Sequence, residues 1–458
     1  MMREGEEAGR GGVSRRGLVA ALAVAGCATE APPPPRPPAP MPAPALMAWV
    51  PPPPEPEPEL ALLRDGPRVL TIAGESLDAA PLRRFYARHG FQPVWESRPE
   101  QAAALTAAVA SANRHGLDPS AFHAAALIRR AGLPPLEREL LLSAAALSYA
   151  DALAHGRVPA GRRRPAETLA PPPRDVESAL GAVAAGRAAD AALEELAPDA
   201  PAYAALRAAL AGAVLAGGGP PGRLRPLQVN LERQRWLPRR LPLDRIWVNV
   251  ADQQLTLFQG GEPALSCRVV VGGEGEREQS PELQAMVEGI FFNPPWVVPA
   301  DIVERDILPR LAQDPTYLER RNMVLRDNGE VEQRPGPGAG LGVLLFDMPN
   351  RFDVFLHDTP AREFFSRGAR RLSYGCIRVE KPRELASLLM RRPMAAVEAE
   401  IARGVTHRLD LPAPVPVFLV YQTAFADAEG RVQLRPDFYD RDPRLWQELQ
   451  GRAAAGPA

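Results

Sequence analysis

Arg245-Ile-Trp-Val-Asn-Val250, Gln254-Leu-Thr-Leu-Phe258 and Ala264-Leu-Ser-Cys-Arg-Val-Val-Val-Gly272 follow one another along the chain. They are rich in β-branched and aromatic residues and switch to the period of two that a strand imposes on its side chains. We read them as three strands, the first two paired. Further strands are expected at Ile290–Asn293, Val343–Asp347, Val354–His357 and Val417–Ala424. Helices are expected between them at Ala300–Ala312, Arg383–Met390 and Ala396–Ala402. Strands outnumber helices and do not alternate with them, so a mixed or antiparallel sheet is expected rather than a parallel βαβ one.

Upstream the pattern is helical. Leu82, Phe85 and Tyr86 share one face, and His89-Gly90 is a stop signal. Residues 100–115 are alanine-rich with a helical period, Gly116-Leu-Asp-Pro119 ends one helix and starts another, and Leu136–His155 is amphipathic and closed by Gly156. Residues 176–211 continue in helical segments. The expected fold class is α+β, with a helical domain at 60–211, a linker at 212–226, a β-rich domain at 227–445 and a disordered tail at 446–458. His89, His115, His123 and His155 stand near helix ends or faces with no second ligand at metal spacing, so surface or capping roles are expected.

The chain has 458 residues, 46% of them hydrophobic, enough for a sizeable core. A net charge of −1 argues against a nucleic-acid partner or a polybasic membrane surface. Three cysteines exclude a disulfide scaffold and a four-cysteine zinc site; no metal or cofactor is expected. Fifteen of the 53 prolines fall in residues 31–60. Residues 28–59 therefore read as a semi-rigid polyproline stalk. Before it, Arg15-Arg16 precede the apolar run Leu18–Gly26, too short to span a bilayer but suited to a signal peptide at 1–27. The arginine pair fits a twin-arginine signal, and a Sec signal looks similar. Val24-Ala25-Gly26-Cys27 resembles a bacterial lipobox, which would make Cys27 a lipidation site and the membrane a partner through that anchor.

Cys267 lies among Val and Leu inside the third strand and is expected to be core filler. Cys376 sits in Ser373-Tyr-Gly-Cys-Ile-Arg-Val379, where small residues and a glycine let the backbone turn and present the thiol. Arg378 supplies positive charge that favours thiolate. His357, in Phe355-Leu-His-Asp-Thr-Pro360, is the nearest histidine, nineteen positions upstream. His407 has no motif-like context. From residue types alone, a nucleophile with its base and a core cysteine beside a strand-end histidine both remain open.

Together, His357-Asp-Thr-Pro360 and Ser373-Tyr-Gly-Cys-Ile-Arg378 resemble the active-site signature of the L,D-transpeptidases, in particular the large Gram-negative subfamily with a YkuD-type catalytic domain and a helical scaffold domain. Asn230-Leu-Glu-Arg-Gln-Arg-Trp-Leu-Pro238, Val269–Gly272, Phe292-Asn-Pro-Pro-Trp-Val-Val-Pro299, Asp306-Ile-Leu-Pro309, Arg334-Pro-Gly-Pro337 and Tyr421-Gln-Thr-Ala424 extend the likeness. So do Phe91-Gln-Pro-Val-Trp95 and Gly116-Leu-Asp-Pro119. The resemblance covers roughly residues 60–440. Four departures stand out. Tyr374 replaces the histidine usual two places before the cysteine. A peptidoglycan-binding module usual before Asn230 has no room. Ser280-Pro281 replaces threonine-proline, and Leu345 stands where lysine is frequent.

The resemblance implies a β-sandwich-like catalytic domain with an inserted lid at about 300–345. It also implies a mechanism. Cys376 attacks the carbonyl of the third residue of a stem tetrapeptide, leaving a thioester, while His357 takes the proton and later activates the acceptor amine. The family's histidine is oriented by a backbone carbonyl, so Asp358 is not expected to act on it. Backbone N–H groups of Tyr374, Gly375 and Cys376 form the expected oxyanion hole. Ser373 is expected to bind substrate, Arg378 to anchor a substrate carboxylate or the loop, and Trp296 and Phe292 either to line the cleft and meet substrate or to pack in the core. Peptidoglycan stem tetrapeptides are the expected donor and acceptor, and the product a 3→3 cross-link. Carboxypeptidases and glycan-polymerising enzymes are the expected partners, and the periplasm the expected place. The same Cys–His pair could serve a carboxypeptidase or an amidase, and a non-catalytic cell-wall lipoprotein is a third reading. A sortase-like enzyme fits poorly, because its His, Cys and Arg are more widely spaced.

Overall fold

The computed structural model describes residues 55, 57–217, 224–336 and 338–451. The expected signal segment, Cys27, all but the end of the stalk and residues 452–458 lie outside the described residues.

The helical part follows the sequence pattern closely. Asp78 caps the helix Ala79–Arg88 by accepting from the Ala80 N–H, and the helix buries Leu82, Phe85 and Tyr86. Pro135–His155 spans 21 residues and packs most of its alanines and leucines inward. A short hairpin, Val69–Ile72 with Glu75–Asp78, precedes these helices. One of the four histidines overturns its expected surface or capping role. His115 is fully buried, with the Tyr203 hydroxyl 2.9 Å from Nδ1 and Glu194 3.2 Å from Nε2. Burial pushes its pKa down to about 4.

The expected linker is shorter than 212–226. The helix Pro201–Leu215 runs past its start, and Leu224–Arg235 is already helical before its end. That last helix is buried along most of its length, so its charges are paired: Arg235 with Glu232 at 2.9 Å, Arg233 with Asp442 at 2.6 Å. Asp442 begins the helix Asp442–Leu449, whose Leu445 and Leu449 pack into the helical core. The expected tail from 446 is thus helical as far as Leu449, because an i, i+4 leucine pair gives it a face to bury.

The β-rich half is a nine-stranded mixed sheet in the order Arg371–Ser373, Glu262–Gly272, Ile377–Val379, Leu356–His357, Leu344–Asp347, Leu283–Phe292, His407–Val420, Arg245–Asn249 and Gln254–Gln259. Most neighbours are antiparallel. Leu356–His357 with Ile377–Val379, Arg371–Ser373 with Glu262–Gly272, and His407–Val420 with Arg245–Asn249 are parallel. The long strand Glu262–Gly272 changes partner along its length. Its first part pairs with Gln254–Gln259 and its end with the two strands flanking Cys376, which closes the sheet on itself. The expected strand Val354–His357 shrinks to Leu356–His357. Asp353 has φ of +50°, and the Phe355 N–H turns to a side chain instead of a ladder partner. Val417–Ala424 splits: Val420 ends a strand begun at His407, and Ala424–Ala426 pairs separately with Val432–Leu434. Cys267 is 4% exposed in the sheet core, and burial pushes its thiol up to about 11.

The insert starts earlier and ends sooner than 300–345. Trp296–Val297, Met323–Leu325 and Val331–Gln333 form a three-stranded sheet, with the helical run Ala300–Gln313 between the first two. Val298, Ile302, Ile307 and Val331 make a core separate from that of the main sheet. Leu344–Asp347 lies in the main sheet, between the strands of Ile290 and His357, because its alternate residues Leu344 and Phe346 fill the main core.

Candidate active site

The turn between Arg371–Ser373 and Ile377–Val379 carries Cys376. Gly375 takes φ of +108° there, a region that strains any side chain. The next two residues diverge in burial: Ile377 points into the core, whereas Cys376 is half-buried. Period two puts Cys376 and Arg378 on the opposite sheet face from Ile377 and Val379. In the adjacent parallel strand Leu356 pairs with Ile377 and His357 with Arg378, so Phe355 and His357 share that opposite face.

Neighbouring backbone and side chains fix the turn from within. The Ser373 hydroxyl donates to the Cys376 carbonyl at 2.5 Å and accepts from the Gly375 N–H at 3.3 Å. Here its hydroxyl is engaged inside the turn. From outside, the Ser280 hydroxyl donates to the Gly375 carbonyl at 2.7 Å and accepts from the Gly272 N–H at 2.9 Å. The Tyr439 hydroxyl accepts from the Ser280 N–H and donates to the Gly272 carbonyl, and Arg441 donates to the Ser280 carbonyl. In the sequence Ser280 stands out only as a departure from threonine; Tyr439 and Arg441 carry no local signal.

Of the three expected oxyanion donors, the N–H groups of Tyr374 and Cys376 have no partner among the described residues, while that of Gly375 is taken by Ser373. The Cys376 sulfur accepts from the Phe355 N–H at 3.5 Å and lies 3.9 Å from the Asp353 carbonyl. Burial pushes the thiol above its ordinary pKa, with the Phe355 N–H and the Arg378 charge pulling the other way. Burial thus works against the thiolate that the Arg378 charge was expected to favour.

His357 is 4% exposed. Its Nδ1 lies 2.6 Å from the Asp358 carbonyl, which can only accept, so Nδ1 carries the proton. Burial, followed by the Arg378 charge, pushes its pKa down to about 4, leaving the ring neutral at pH 7. The Asp358 carboxylate faces away, toward the Val343 N–H and Arg362. No hydrogen bond joins His357 to Cys376. Arg378 links them electrostatically; its guanidinium stands 5.6 Å from the Phe364 ring centre and its buried Nε has no partner.

The remaining aromatics are elsewhere. Trp296 packs against the core of the insert, and Phe292 is fully buried under the His407 ring, which is the core-packing alternative of the two expected for it. Tyr374 is 43% exposed, and its hydroxyl donates to Asp306 at 2.7 Å.

Comparison with known families matches residues 243–405 to the L,D-transpeptidase catalytic domain and residues 80–210 to a scaffold domain. A Haemophilus influenzae protein named provisionally as an L,D-transpeptidase is 31% identical, over 48% of either chain. The chain thus spans about half the length of that curated relative. The solution structure of the catalytic domain of Enterococcus faecium L,D-transpeptidase is 14% identical, covering 39% of this chain and 96% of that one, with a TM-score of 0.21. A cysteine-to-serine mutant of the E. faecium enzyme is 12% identical, covering 39% and 50%, with a TM-score of 0.20. The chain carries an L,D-transpeptidase catalytic domain behind an N-terminal scaffold domain.

Proposed function

We propose that this protein is a peptidoglycan L,D-transpeptidase that makes 3→3 cross-links through a thioester on Cys376. The observation that carries the reading is the thiol on a turn whose Tyr374 and Cys376 N–H groups are unpartnered, on the sheet face it shares with His357 and Arg378. In the first half-reaction the sulfur attacks the carbonyl carbon of the third stem residue. The developing oxyanion is met by the two free N–H donors, each worth about 3 kcal/mol in such sites. The thiol proton passes to Nε2 of His357, then to the departing D-alanine amine as the peptide C–N bond breaks. In the second half the side-chain amine of an acceptor stem attacks the thioester, loses its proton to His357, and the thiol is restored. A neutral histidine beside a neutral thiol means that deprotonation is coupled to attack rather than preceding it. Arg378, with its unpartnered Nε, suits a stem-peptide carboxylate.

No helix of the described residues is long and apolar enough to cross a membrane. We assign the protein to the periplasm, exported by its N-terminal signal and held to a membrane by acylation of Cys27. Partner carboxypeptidases and glycan-polymerising enzymes supply its tetrapeptide-bearing strands. Palmitate labelling that disappears in Cys27→Ser tests the anchor.

The activity is tested with purified protein and disaccharide-tetrapeptides. Cross-linked 3→3 dimers are expected, abolished by Cys376→Ala. Tripeptides without dimers would make it a carboxypeptidase, and dimers from Cys376→Ala would remove the nucleophile assignment. One carbapenem adduct per chain on Cys376, read by intact mass, separates an active thiol from a cell-wall scaffold.

A further inference from the structure

The insert is an almost separate body with a small core of its own. Apart from the turn where it rejoins the chain, Gly342 N–H to the Ala339 carbonyl, one hydrogen bond ties residues 296–340 to the rest of the described residues. It is the bond from the Tyr374 hydroxyl to Asp306 Oδ2, 2.7 Å. Arg305 stands on the same ring, its guanidinium carbon 4.8 Å from the centroid, and it pairs with Asp306 at 3.4 Å. The phenol is therefore gripped at its hydroxyl by a carboxylate and on its face by a cation. Burial, then Asp306, holds its pKa above the ordinary tyrosine value, so it remains a donor at neutral pH. Both partners come from the π-helical turn Val303–Ile307 of the insert. Tyr374 belongs to the turn that carries Cys376 and two residues of the oxyanion donor set.

We propose that Tyr374, Asp306 and Arg305 form a latch that registers the insert against the Cys376 turn and, by shutting water out, favours an amine over water as acyl acceptor. The three are positioning residues, acting through closure rather than on the substrate. The part concerning the acceptor rests on the transpeptidase reading above; the latch itself does not. A closed insert and a dry thioester matter because water would otherwise compete with the incoming amine.

The test uses the full chain with Tyr374→Phe, Asp306→Ala and the double variant. Hydrogen exchange is followed in peptides spanning residues 300–313. Each single variant is expected to speed exchange there by about tenfold, the scale of one charge-assisted hydrogen bond. The double variant is expected to add nothing further, because both remove the same contact. Arg305→Met, which keeps the hydrogen bond, is expected to give a smaller rise. Exchange at wild-type rates in both Tyr374→Phe and Asp306→Ala would overturn the latch. With disaccharide-tetrapeptides, the ratio of hydrolysed tripeptide to cross-linked dimer should rise in the same variants. Faster exchange with an unchanged ratio would overturn the acceptor role. If wild-type protein makes neither product, the transpeptidase reading fails, and the exchange experiment still decides the latch.

Discussion

The turn around Cys376 and the insert that touches it are built in opposite ways. The turn is held by Ser373 from within and by Ser280, Tyr439 and Arg441 from without, in hydrogen bonds that are mostly buried. The insert shares no core with the main sheet and meets the turn through one exposed tyrosine. A nucleophile must stay within fractions of an ångström of its donors, whereas a cover must open for a polymeric substrate. Buried polar contacts are concentrated around the turn and nearly absent between the insert and the turn, which is the distribution that the proposed nucleophile and its cover would require.

Truncating one aliphatic side chain in each region should expose that difference most strongly. Leu356, fully buried between the strands of Phe346 and Ile377, should cost about 2–5 kcal/mol of global stability as Leu356→Ala. Ile307→Ala removes a similar side chain at 3% exposure from the core of the insert. Its cost is expected to fall on local opening, with global stability in urea changed by less than about 1 kcal/mol and exchange at residues 300–313 clearly faster. Equal losses of global stability in the two variants would make the insert part of the main cooperative unit.

Acid separates the regions by charge instead of volume. His357 and His115 are neutral when folded, each with its pKa pushed by burial to about 4, against an ordinary value of 6.5. Between those values the unfolded chain binds protons that the native state does not. Stability is therefore full above pH 6.5 and falls as pH drops toward 4, by up to roughly 3 kcal/mol for each histidine. Urea unfolding at pH 7 and pH 4.5 measures the loss, and His115→Asn should shrink it. Residues 296–340 contain no histidine, so opening of the insert should not follow this titration.

Much of this was legible in residue order. Period-two runs marked the strands at Arg245, Gln254 and Ala264, and the glycine-cysteine turn together with a strand-end histidine marked Cys376 and His357. What was hidden is burial and distance. A local pattern says which way a side chain points, not what covers it, so the raised thiol pKa and the buried His115 could not be read. Leu449 falls in the expected tail and Leu445 at its edge, because the core they fill comes from the other half of the chain. Tyr439 and Arg441 stand more than sixty positions from the turn they brace, and nothing in their neighbours says so.

Ser280 is where that hidden bracing can be tested with the smallest change. Its hydroxyl is the shared partner of the Gly375 carbonyl and the Gly272 N–H, and it is fully buried. Ser280→Ala leaves both backbone groups unpaired away from water, which should cost about 1–3 kcal/mol. The functional loss should be disproportionate, because Gly375 sits between the two free N–H donors and a small shift moves both. A fall of about tenfold to a hundredfold in the rate of carbapenem acylation is expected, from misplacement rather than from loss of a reacting group. Ser280→Thr keeps the hydroxyl and should retain most of the rate. If threonine falls as far as alanine, space at this position matters and the hydrogen bonds do not. If alanine acylates at the wild-type rate, the rigidity that sets the turn apart from the insert does not depend on the Ser280 hydroxyl.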